Sequence, residues 1–119
     1  MNVLAVDVCP KSLHDLTDKL QQVFPEDTVT GFSDPLSALK FGNEHGVELL
    51  FTDVRLRPID GYELIKVLLQ KNPLFSYVVS GSPDKSDDLG WMNVSGCFTK
   101  PVDTMELLKL RHKLHTQTA

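Results

Sequence analysis

The chain has 119 residues, 41% of them apolar and 24% charged, a balance that suits one compact domain spanning residues 1–119. A formal net charge of −4 supplies no basic stripe for a duplex, so direct nucleic-acid binding is not expected. No apolar run approaches the roughly 20 residues of a membrane span, and the start MNVLAVDVCP lacks the pattern of a secretory leader, so a cytoplasmic protein without membrane contact is expected.

In chain order, Val3 to Val6 is a short, continuous apolar run, the mark of a strand buried on both faces. Leu13, Leu16, Leu20 and Phe24 follow at helical spacing, and Pro25 stops that helix. Val29 to Phe32 reads as a second strand. Asp34-Pro35 is a helix start, with Asp34 suited to the N-cap and Pro35 to the first helical position. Glu48 to Thr52 reads as a third buried strand. Asp60 with Glu63 three residues on has the form of a capping box, followed by the apolar face of Leu64, Ile65, Leu68 and Leu69. Phe75 to Val79 is β-branched and aromatic, a fourth strand. Pro83 to Met92 is read as a helix, although Asp84, Asp87, Asp88 and Gly90 form helix interiors poorly. Gly96 to Thr99 is a fifth strand, and Asp103 with Glu106 opens a last helix carrying Met105, Leu107, Leu108, Leu110 and Leu114. Lys109, Arg111 and Lys113 suit the C-terminal end of that helix. Cys9 and Cys97 are read as free thiols. His14, His45, His112 and His115 show no zinc spacing and are read as surface residues.

Strands alternating with helices predict an α/β fold: a doubly wound (βα)5 domain with a five-stranded parallel sheet covered by helices on both faces. Ligands of such sheets bind at the carboxyl ends of the strands, near the point where strand order reverses. Asp7, Asp53, Ser80 and Lys100 stand at those ends, after the first, third, fourth and fifth strands, so their side chains are expected to meet in one shallow site. Two carboxylates suit a hard divalent cation such as Mg²⁺. A Lys ammonium and a Ser hydroxyl suit phosphoryl oxygens, and a carboxylate can itself accept a phosphoryl group. Each residue also has a plain structural reading: Asp7 as a strand-end cap, Ser80 before Gly81 as a turn, Lys100-Pro101 as a loop charge.

The stretch LLFTDVRLRPIDGYELIKVL (49–68) resembles the phosphorylation segment of bacterial response-regulator receiver domains, and VSGCFTKPVD (94–103) resembles their lysine-proline segment. VLAVDVCP resembles their N-terminal acidic segment, and YVVSGSP their Ser/Thr segment, so the resemblance spans the chain. It implies a flavodoxin-like, CheY-like strand order 2-1-3-4-5. It implies Asp53 as phosphoacceptor and a Mg²⁺ site formed by Asp7, Asp53 and the backbone carbonyl of Arg55. Ser80 and Lys100 would bind the phosphoryl group, and Asp60-Gly61 match the glycine turn before the third helix. The implied partners are a sensor histidine kinase as donor, an output domain or downstream protein, and a second copy in a homodimer. Residues 110–119 mark where a linker to an output domain would begin.

Three departures stand out. Val8 occupies the place of the family's second acidic residue, which implies weakened Mg²⁺ binding; Cys9 is too soft a donor to replace it. Cys97 occupies the place of the aromatic residue that moves with the phosphorylated state. The stretch between Ser80 and Lys100 is slightly short. The leading expectation is a two-component receiver, not an enzyme beyond self-catalysed phosphoryl transfer and autodephosphorylation. The alternative is a pseudo-receiver, a phosphorylation-independent interaction module. Aspartate-nucleophile phosphatases carry a second Asp where Arg55 stands, and a flavin-binding flavodoxin-like protein would need a better phosphate loop than CPKS.

Overall fold

Short runs of buried residues build the middle of the sheet. The structure is a computed structural model that describes residues 1–81 and 94–118. Its strands are β1 (Asn2–Val6), β2 (Thr28–Phe32), β3 (Leu49–Thr52), β4 (Phe75–Ser80) and β5 (Gly96–Thr99). Its helices are α1 (Pro10–Val23), α2 (Pro35–His45), α3 (Gly61–Leu69) and α4 (Thr104–Thr118). The helix expected over Pro83 to Met92 lies outside the described residues. Every residue of β3 is buried, as its unbroken apolar sequence requires, whereas β2 at the sheet edge is half exposed.

All four pairings are parallel, and the order is β2-β1-β3-β4-β5, as the resemblance implied. Alternating side chains divide the core in two. Val3 and Ala5 of β1 join Leu49, Phe51, Tyr77 and Phe98 beneath α1 and α4. Leu4 and Val6 join Leu50 and Val78 beneath α2 and α3. In the first layer Tyr77 lies 5.5 Å from Phe51 and 5.6 Å from Phe98 by ring centroid. Burial pushes the Tyr77 phenol's pKa up.

The helix starts follow local chemistry. Asp34 accepts from the Leu36 and Ser37 amides at 3.2 and 3.3 Å, and Pro35 occupies the first turn. Asp60 accepts from the Glu63 amide at 2.9 Å while the Glu63 carboxylate accepts from the Asp60 amide at 3.4 Å, closing the capping box. Asp103 accepts from the Met105 amide at 2.9 Å. The last helix runs to Thr118. The four histidines are exposed, and both cysteines are free thiols. None of the helices among the described residues is long and apolar enough to cross a membrane.

Candidate functional site

In the order β2-β1-β3 the chain changes direction between β1 and β3, and Asp7 and Asp53 follow those two strands. The ladder carries one residue past each strand end. The Asp7 amide donates to the Phe32 carbonyl at 3.1 Å, and the Asp53 amide to the Val6 carbonyl at 2.9 Å. Two adjacent carboxylates are thereby fixed by backbone rather than by loop conformation. Lys100 reaches them from the end of β5. Its amide donates to the Ser80 carbonyl at 2.9 Å, and its ammonium donates to Asp7 Oδ2 at 2.6 Å and Asp53 Oδ2 at 3.1 Å. The Lys100–Pro101 peptide is cis.

The site is more enclosed than the shallow one expected from the sequence. Asp7 is 1% exposed, and the Asp53 and Lys100 side chains are 16% and 24% exposed. A buried carboxylate requires partners. Among the described residues Asp7 has two, because its Oδ1 accepts from the Cys9 amide at 2.9 Å while Oδ2 takes the lysine. Partial burial alone pushes the Lys100 ammonium's pKa down, but its hydrogen bonds to Asp7 and Asp53 outweigh this and hold it above the ordinary lysine value. Among the described residues the site thus sets two carboxylates against one ammonium.

Asp53 is also fixed from below. Its carbonyl accepts from the Thr52 hydroxyl at 3.0 Å, its Oδ1 accepts from the Arg55 amide at 3.3 Å, and the Val54 carbonyl accepts from the Gly61 amide at 2.9 Å. The first turn of α3 packs so closely here that a Cβ at Gly61 would overlap the Asp53 carbonyl oxygen and stand 3.1 Å from Val54 Cα. Only glycine permits this approach.

Of the residues singled out from sequence, Asp7, Asp53 and Lys100 thus come together as side chains. Ser80 ends β4 opposite Thr99 and is tied to Lys100 through the main chain. Arg55 is exposed, and its amide rather than its side chain touches Asp53. Val8 is 51% exposed, so the position of the missing acid is open to solvent. Cys97 is partly buried against the α2–α3 layer. A cavity of about 420 Å³ opens beside Asp7 and Lys100 toward α1, lined also by Cys9, Ser12, Asp15 and Val102. A hydrogen bond from the Ser12 amide lowers the exposed Cys9 thiol's pKa. Sequence reasoning missed Lys19, whose ammonium donates to the Val102 carbonyl at 2.8 Å. Its spacing from Asp15 announces a helix pair but not that longer-range bond.

Two carboxylates are hard oxygen donors, and Mg²⁺ is commonly held by one or two carboxylates with waters completing its shell. The donor set therefore fits Mg²⁺ in kind. It is sparse in number: no group of three or more His, Cys, Asp or Glu side chains suited to a metal occurs among the described residues. Lys100 also engages one oxygen of each carboxylate.

The sheet order, the two helical layers and the carboxylate–lysine site define the class: an α/β domain with the CheY-like fold of response-regulator receivers. The resemblance to such receivers runs over nearly the whole chain. A signal receiver domain of an HD domain-containing protein from Pseudomonas fluorescens is 26% identical, with 98% of this chain and 88% of that chain covered and a TM-score of 0.78. A response regulator receiver protein from Pseudomonas putida is 27% identical, covering 94% and 95%, with a TM-score of 0.77. A CheY-like receiver domain from Methylobacillus flagellatus superposes at a TM-score of 0.83 with 17% identity over 95% and 97% of the two chains. Neither a family model nor a curated protein matches the sequence.

Proposed function

We propose that the chain is a cytoplasmic two-component receiver that takes a phosphoryl group on Asp53 from a sensor histidine kinase and passes the change to an output domain or downstream protein. The observation that carries this reading is the Lys100 ammonium within 3.1 Å of Asp53 Oδ2 and 2.6 Å of Asp7 Oδ2 at the switch point of the sheet. An Asp53 carboxylate oxygen attacks phosphorus while the bond to the donor's histidine nitrogen breaks. Phosphoryl transfer depends chiefly on positioning and on neutralising charge. Lys100 supplies a fixed positive charge beside the acceptor. Asp7, Asp53 and the Arg55 carbonyl would hold Mg²⁺, which supplies further neutralisation of the phosphoryl oxygens. Ser80, at the adjacent strand end, is assigned to phosphoryl binding.

The test is intact-mass spectrometry after incubation with acetyl phosphate, with and without Mg²⁺, on the wild type and Asp53→Asn. One Mg²⁺-dependent phosphoryl addition, lost in the variant, is expected; a folded wild type that gains none refutes the reading. A second reading, a pseudo-receiver that works through protein contacts alone, is favoured by one observation. Val8 leaves the site with two carboxylates, and Lys100 bridges both. Restoration of phosphoryl uptake by Val8→Asp in an otherwise inert protein would assign the inertness to that missing carboxylate.

A further inference from the structure

We propose that Lys19 is a positioning residue for this site, setting the reach of Lys100 by holding the Val102 carbonyl; the inference rests on the assignment of Asp53 and Lys100 above. Lys19 lies on α1 between the buried residues Leu16 and Leu20, which share an apolar cluster with Val102. Its ammonium donates to the Val102 carbonyl at 2.8 Å and to Asp15 Oδ2 at 2.9 Å, and its side chain is only 23% exposed. Asp15, four residues before it on the helix, stands in the favourable orientation for such a pair and holds the ammonium in place.

The geometry suspends Lys100 between two anchors. On one side its amide donates to the Ser80 carbonyl. On the other, two residues on, Val102 is fixed twice, by a buried side chain and by Lys19 on its carbonyl. The Lys100 head must meet Asp7 and Asp53 at once, and this double requirement narrows the backbone positions that serve it more than a single partner would. Supporting contacts of this kind decide whether a charged group sits within the tolerance that chemistry requires. The bond to Val102 spans 83 positions of sequence and joins α1 to the segment that carries Lys100. A simple staple between α1 and α4 would be the competing role, and it predicts loss of stability alone.

The experiment compares Lys19→Met, which keeps the aliphatic stem but removes the donor, with Lys19→Arg. Leu68→Val, in the opposite core layer, serves as a destabilised control. Two readouts are taken: the ¹⁵N-resolved ammonium signal of Lys100, and the rate of phosphoryl uptake from acetyl phosphate with Mg²⁺. We expect Lys19→Met to shift or broaden the Lys100 signal and slow uptake roughly tenfold. Lys19→Arg should recover most of both, and Leu68→Val should leave both near wild type. An unchanged Lys100 signal in Lys19→Met overturns the inference, as does an equal slowing by Leu68→Val. If the wild type takes up no phosphoryl group while the Lys100 signal still responds as expected, the positioning role stands and the assignment of Asp53 falls.

Discussion

Replacing Lys100 by Met keeps much of the side chain's bulk but leaves Asp7 without its ion-pair partner. Removing one member of a buried pair typically costs about 3–5 kcal/mol, because the remaining charge stays desolvated. The site softens that figure in two ways. Lys100 is 24% exposed, so water partly solvates the pair, and Asp7 keeps its hydrogen bond from the Cys9 amide. A charge-assisted hydrogen bond contributes about 1.5–3 kcal/mol, and Asp53 at 3.1 Å loses a weaker one. Together these give an expected loss of about 2–3 kcal/mol. In an Asp7→Asn background the same substitution strands only the Asp53 carboxylate, which is less buried than Asp7 and held by the longer bond, and should cost less, about 1 kcal/mol.

Urea unfolding at pH 7 measures both, provided the slope is unchanged. The pH dependence has a definite sign. The pKa of Lys100 is raised in the fold, so its contribution is complete below the unfolded value near 10.5 and is lost as pH rises through the folded value. The gap between wild type and Lys100→Met should therefore stay constant from pH 6 to 9 and close only at strongly alkaline pH. A loss under about 0.5 kcal/mol, the range of exposed pairs, or an equal loss in the Asp7→Asn background, would refute the claim that burial makes this pair matter.

Three further outcomes are expected. Gly61→Ala places a methyl group against the Asp53 carbonyl and should destabilise by about 1–3 kcal/mol, as overpacking does; an unchanged urea midpoint would show that α3 can move aside freely. Val8→Asp adds a carboxylate at a half-exposed position; taking about 4 Å and the dielectric constant of water, its attraction for Mg²⁺ is about 2 kcal/mol, or roughly thirtyfold in affinity. A Mg²⁺ titration indistinguishable from wild type would contradict this. Asp60→Ala removes the N-cap bond to Glu63 and should cost about 0.5–2 kcal/mol in thermal or urea unfolding.

What the sequence determined by itself was whatever depends on neighbours along the chain. The buried strands were legible as unbroken apolar runs, since a strand covered on both faces has no polar side. Asp34-Pro35 and Asp60 with Glu63 announced helix starts because a cap is a bond between residues two or three apart. The four chemistry-bearing residues were legible as strand-end residues, and parallel strands put such ends on one edge. The enclosure of Asp7 was not legible, nor was the bridging of both carboxylates by Lys100, 93 and 47 positions away. The same holds for the closeness of Gly61 to the Asp53 carbonyl, and for the bond from Lys19 to Val102. These contacts join elements whose separation and tilt are set by how two helical layers pack on a twisted sheet. No local spacing encodes that packing, so only the tertiary structure could decide which of the gathered polar groups touch, and how much water reaches them.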